Sequence, residues 1–139
     1  MTAQHQFSGI WKSTYWYPSN NHDGEETSQY ELEVFQHGRK LSCESLATSG
    51  GDHLSLVLTL DGQLATGSWL ENTAPDGEFG GMIYSGALQL IISADGRSLE
   101  GKWVGVGREK LDDGRYEPQI YSGRWSMERV GDMPAGTDS

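Results

Sequence analysis

The dipeptide Asp-Gly occurs five times in this chain, at 23–24, 61–62, 76–77, 95–96 and 113–114, and no other feature restricts the fold as much. Both residues tolerate positive φ, which is what the tight turn of a β-hairpin demands. His37-Gly38 and Gly50-Gly51 add two further turn signals. Between these markers the sequence alternates apolar and polar residues with period two over 8–17, 27–36, 40–48, 53–60, 63–72, 79–93, 97–108 and 116–129. Period two is the signature of strands with one buried face. Leu54, Leu56, Leu58 and Leu60 against Ser55, Val57 and Thr59 show it most clearly. Segment 79–93 contains Gly80-Gly81 and Ser85-Gly86, which mark either bulges in one bent strand or a hairpin between two short strands, and we favour the single bent strand.

Eight antiparallel strands joined by short hairpins remove their exposed edges by closing into an up-and-down barrel. The expected fold is therefore all-β. Its tight connections, near His37-Gly38, Asp61-Gly62 and Asp95-Gly96, alternate with longer ones at 18–26, 48–52, 73–78 and 109–115. In a meander, alternate connections lie at opposite ends. One end is thus shut by tight turns and the other forms a mouth, giving a cup wide enough to be filled by side chains or to hold one small ligand. Residues 7–130 read as one domain, preceded by a tail at 1–6 and followed by a small, polar, disordered tail at 131–139.

Composition narrows the partners. Ten Lys and Arg against 20 Asp and Glu leave a formal charge of −10, which repels a phosphate backbone, so direct nucleic-acid binding is not expected. The N-terminus, MTAQHQF, has neither a basic segment nor an apolar run, and no stretch has the length of a membrane span; a membrane partner is not expected either. Cys43 is the single cysteine. It excludes an internal disulfide and any cysteine-rich zinc site, and the reading is a cytoplasmic chain.

Four of the five tryptophans stand in one tripeptide: Gly9-Ile10-Trp11, Gly67-Ser68-Trp69, Gly101-Lys102-Trp103 and Gly123-Arg124-Trp125. Residues i and i+2 share a strand face, so each unit sets bare backbone beside a large ring and leaves room for a ring from a neighbouring strand. Trp11 and Trp125 fall toward the closed end and read as structural barrel closure. Trp69 and Trp103 stand higher, and Gly105 and Gly107 follow Trp103 on its own face, which is where space for a cavity is expected.

A Gly-x-Trp opening the first strand of an eight-stranded meander resembles the calycins, the lipocalin and avidin type of barrel. The resemblance implies that a basic residue late in the last strand, here Arg129, stacks on Trp11 through cation–π attraction. A likeness over 9–130 is carried by Gly-x-Trp-x-Ser-x-Tyr (9–15), Ala-Thr-Gly-Ser-Trp-Leu-Glu-Asn-Thr (65–73), Tyr-Ser-Gly-Ala-Leu-Gln-Leu (84–90), Gly-Lys-Trp-Val-Gly-Val-Gly-Arg (101–108) and the last Gly-Arg-Trp. In these the chain resembles a domain found downstream of helix-turn-helix segments in actinobacterial regulators. That likeness implies a sensor role, without direct DNA binding, because no helix-turn-helix pattern precedes the barrel here.

If Trp69 points inward, so does Glu71, two residues nearer the mouth. A carboxylate inside an aromatic cup is costly unless paired or hydrogen-bonded, which makes Glu71 the candidate polar anchor, or an acid or base; a rim carboxylate in water is the alternative. Tyr15, Tyr30, Tyr84 and Tyr121 are the candidate walls, joined by Trp69 and Trp103, since phenols orient a ligand while their rings supply apolar contact; buried tyrosines hydrogen-bonded to one another are the alternative. No metal or cofactor is expected: His5, His22, His37 and His53 fall in the tail or at turns, and the acidic stretch at 20–26 reads as a solvated loop. Gly101, Gly105 and Gly107 lie on a strand and cannot place a helix N-terminus on phosphate. No catalytic nucleophile stands out, and Cys43 reads as a packing residue.

Three functions fit these residues. The first is a binding barrel, a sensor or carrier of a small apolar or aromatic ligand. The second is a cyclase- or isomerase-type enzyme using Glu71 as acid or base. The third is a filled barrel that binds a protein partner or pairs as a homodimer.

Overall fold

The structure is a computed structural model describing residues 6–18, 25–46, 52–73, 83–110 and 113–132. Eight strands appear: β1 (Gly9–Pro18), β2 (Glu25–His37), β3 (Lys40–Ser45), β4 (His53–Asp61), β5 (Leu64–Asn72), β6 (Ile83–Ile92), β7 (Ser98–Lys110) and β8 (Tyr116–Gly131). Each pairs antiparallel with its sequence neighbour, and β1 pairs with β8, so the sheet is a closed barrel in the order β1 to β8. This is the all-β up-and-down architecture that the turns and the alternation predict, and it is consistent with a calycin-like fold. Among the described residues no helix is long and apolar enough to cross a membrane.

The tight turns do the work expected of them. Gly38 and Gly62 each have φ of 60°, a value that a residue with a Cβ reaches only with strain. Between β6 and β7, Asp95 builds the turn itself: its Oδ1 accepts from Ser93 Oγ at 2.7 Å and from the Arg97 amide at 3.0 Å. The Ser93 bond, ahead of the Arg97 amide, holds this carboxyl below the usual range. The longer connections at 19–24, 74–82 and 111–112, the Gly50-Gly51 signal and the tail at 133–139 lie outside the described residues. β8 runs to Gly131, just into the segment read as a tail.

One expectation is corrected. β6 keeps an unbroken register with β5 from Leu64↔Ile91 to Asn72↔Ile83, so Ser85-Gly86 is not a bulge; Gly80-Gly81 lies outside the described residues. The register shift sits at the seam between β1 and β8, where Ile10 faces Gly131 and Trp11 faces Arg129. Val130, left without an opposite residue, turns outward and is exposed.

The interior is layered. Toward the tight-turn end lie Leu32, Val34, Leu41, Cys43, Leu56, Leu58, Ala65, Leu90, Leu99 and Met127, all fully buried. Trp11 belongs to this layer, with its ring 6.0 Å from that of Phe7 and its indole N–H given to the Phe7 carbonyl at 2.8 Å. Burial stabilises each such aliphatic side chain by about 1.5–3 kcal/mol. Above this layer aromatic residues join the buried Leu54 and Leu88.

Candidate functional site

The Gly-x-Trp repeat is a packing device that acts between strands. Trp69 on β5 faces Gly86 on β6, and Gly86 faces Gly105 on β7. The indole crosses both glycines and donates from Nε1 to the Val104 carbonyl at 3.2 Å. A Cβ on Gly105 would stand 2.4 Å from the Trp69 ring, and one on Gly86 only 1.9 Å from the Val104 carbonyl oxygen. Trp103 repeats the arrangement one strand on: it faces Gly123 and donates to the Trp16 carbonyl at 2.8 Å. Trp125 donates to Ser13 Oγ at 2.8 Å, which accounts for a serine that is fully buried. The space expected beside Gly105 is therefore taken by Trp69.

These rings form one cluster. Tyr15 stacks on Trp125 with centroids 4.9 Å apart and meets Trp103 edge-on at 6.1 Å. Trp69 lies edge-on to Trp103 at 5.6 Å and 6.0 Å from Trp125. Offset and edge-to-face pairs of this kind add about 0.5–1.5 kcal/mol each beyond the area they bury. The cluster is the aromatic floor on which the polar group above it rests.

That polar group is Glu71. Alternation along β5 sends Ala65, Trp69 and Glu71 inward, and Glu71 keeps only 8% of its surface exposed. Its neighbours in register are Leu54 on β4 and Tyr84 on β6. From the opposite wall, the Tyr15 hydroxyl donates to the carboxylate, lying 2.9 Å from Oε1 and 2.8 Å from Oε2. The Tyr30 hydroxyl donates to Oε2 at 2.5 Å, a length typical of a charge-assisted bond. Burial, and then Glu71 itself, push the Tyr15 and Tyr30 phenols far above the ordinary tyrosine range. Tyr84 is pushed up by the same two causes.

The structure thus brings Tyr15, Tyr30, Trp69, Glu71 and Trp103 into one continuous network of rings and hydroxyls, with Tyr84 facing Glu71 across β5 and β6. Tyr121 faces Gly105 across β7 and β8 and packs half-buried against the core, beside this group. Trp11, Trp125 and Arg129 all lie along the β1/β8 seam, Trp125 facing Tyr15 and Arg129 facing Trp11. Arg129 does not take the cation–π contact expected of it. Its guanidinium is drawn off by the Gln6 carbonyl at 3.0 Å and Asp132 at 3.1 Å, and among the described residues the cation over a ring is Arg124, 4.4 Å from the centroid of Trp16.

Two members of the network escape a reading of the sequence. Ser28, opposite Tyr15 on β2, partly offsets the rise of the Tyr15 and Tyr30 phenols, and Asp52 adds its charge beside Tyr30. The signal for Ser28 is its shared face with Tyr30; for Asp52, in a loop, there is none. Among the described residues no group of three or more His, Cys, Asp and Glu is arranged to hold a metal ion. His53 stands at the rim beside Ser45 and Glu44, and Cys43 is buried in the aliphatic layer. No protein-family model matches the chain, and no curated protein matches it in sequence.

Proposed function

We propose that this chain is a small-molecule-binding barrel of the cytoplasm, a sensor or carrier that takes an apolar or aromatic ligand at the mouth side of its aromatic floor. The observation that carries this reading is Glu71, a carboxylate at 8% exposure held between two phenols. Stability alone does not call for such a group. Replacing a buried polar cluster by hydrocarbon of the same shape is often neutral or stabilising, whereas strongly perturbed phenols such as Tyr15 and Tyr30 gather at functional sites. Apolar walls with a few convergent polar groups are also the ordinary make-up of a ligand pocket. The resemblance to domains of actinobacterial regulators favours sensing over transport. With a net charge of −10, such a sensor acts on DNA only through a separate partner.

A second reading, a protein-interaction barrel, is favoured by one outer strip: Val106 and Ile120 face each other across β7 and β8 and are 51% and 77% exposed. Native mass spectrometry of the protein, purified gently from its own host, separates the two. A discrete excess mass lost on denaturation is the expected result and reveals the ligand class. A bare chain at every concentration overturns the binding reading in favour of the interaction barrel.

A further inference from the structure

We infer that the ligand seated on this floor carries a protonated primary amine, bound through its N–H groups to Glu71 with aromatic faces around it. The inference rests on the binding reading above and adds the chemistry of the ligand. It starts from a shortage of donors. An ionised carboxylate offers about four acceptor directions, and among the described residues Glu71 receives two protons, one from Tyr30 and one from Tyr15. The Tyr15 proton is spread over both oxygens, at 2.9 and 2.8 Å. Acceptor capacity therefore remains on a group almost withdrawn from water.

Charge points the same way. The ion pairs of the described residues join Arg39 to Asp61, Arg115 to Asp113, Arg124 to Glu100 and Arg129 to Asp132, and His53 lies 4.0 Å from Glu44. Glu71 is in none of them. Its hydrogen bonds come from neutral phenols, which solvate a negative charge without cancelling it, and a buried charge is tolerated best when it is paired. A ligand ammonium supplies the missing charge and up to three donors at once. A quaternary ammonium supplies no donor, and an anionic ligand meets repulsion from Glu71.

The surroundings suit a cation. Tyr84 lies directly across from Glu71 on β6, and the hydroxyls of Tyr15 and Tyr30 bring their rings to the carboxylate from the other side. A cation within about 6 Å of such ring faces gains about 0.5–2 kcal/mol. The overall charge of −10 adds a long-range attraction that raises the local concentration of cationic ligands.

The test uses the full chain and three matched probes: 2-phenylethylamine, its neutral isostere 2-phenylethanol, and the anion 3-phenylpropionate. Binding is read by calorimetry and by indole fluorescence. We expect the amine to bind about tenfold more tightly than the alcohol, the anion not to bind, and Glu71→Gln to abolish the amine's preference over the alcohol. Equal affinities for amine and alcohol overturn the inference and leave the binding reading standing, as does a host-derived ligand without a basic nitrogen. Failure of all three probes, together with a bare chain in native mass spectrometry, overturns both. The comparison of amine with alcohol needs only the natural chain, so it decides the matter even if Glu71→Gln does not fold.

Discussion

Tyr30 Oη and Glu71 Oε2 stand 2.5 Å apart, although they belong to β2 and β5, which share no ladder in the barrel. The bond spans the interior and ties opposite walls together above the aromatic floor. A hydrogen bond to a charged group contributes about 1.5–3 kcal/mol, against about 0.5–1.5 for a neutral pair. Tyr30→Phe is therefore expected to lower unfolding free energy by about 2 kcal/mol in the natural chain and by about 1 in a Glu71→Gln background. Urea unfolding of the two single variants and the double variant checks this; a coupling near zero would mean that the pair contributes nothing to stability.

The raised phenols set the behaviour of the barrel at alkaline pH. Tyr15 and Tyr30 keep their protons in the folded state well beyond about pH 10, where the unfolded chain releases them. The folded state thus binds more protons above that pH, and linkage makes stability fall as pH rises further. Below about pH 10 their contribution is fully present. Denaturant midpoints should hold steady up to that region and then decline, and the decline should be shallower in Tyr30→Phe. Phenolate absorbance followed in parallel should show Tyr15 and Tyr30 ionising only as the fold is lost.

Gly86 tests the tryptophan crossing. A methyl group there would meet the Val104 carbonyl oxygen at 1.9 Å and the Gly105 Cα at 2.7 Å, both backbone atoms, as well as Trp69 Nε1 at 2.9 Å. Backbone cannot step aside as a flexible side chain does. Gly86→Ala should cost about 1–3 kcal/mol and lower Tm by roughly 4–12 °C for a domain of this size. The indole emission should shift as Trp69 is displaced. An unchanged Tm would show that β7 does not approach β6 this closely at Gly86.

Cys43 reports on the aliphatic layer. Burial pushes its thiol up to about 12, so at about pH 8 it is both shielded and protonated, and only a thiolate reacts readily. A disulfide reagent should label one thiol per chain in denaturant and almost none in the native protein. Slow native labelling should follow global opening. Rapid native labelling would mean that this end of the barrel breathes independently.

Much of this architecture is legible in the sequence because the information is local. Turns such as Asp61-Gly62 and Asp95-Gly96 need only adjacent residues, and the inward face of β4 is already visible in Leu54, Leu56 and Leu58. Glu71 follows from Trp69 by counting two. The route of each indole is less legible. That Trp69 covers Gly86 and Gly105 depends on the register of three strands, and period-two patterning leaves register open by even steps. The same freedom explains Arg129, which lands beside Trp11 yet finds better hydrogen-bonding partners in Gln6 and Asp132.

What the sequence determines by itself, then, is the number of strands, the end at which the tight turns lie and the face of each strand that is buried, since these depend on φ preferences and on alternation over a few residues. What tertiary structure alone decides is that Tyr15 and Tyr30 converge on Glu71, 56 and 41 residues away. Closure of the barrel brings opposite walls within side-chain reach, and no local preference encodes a contact across that interior.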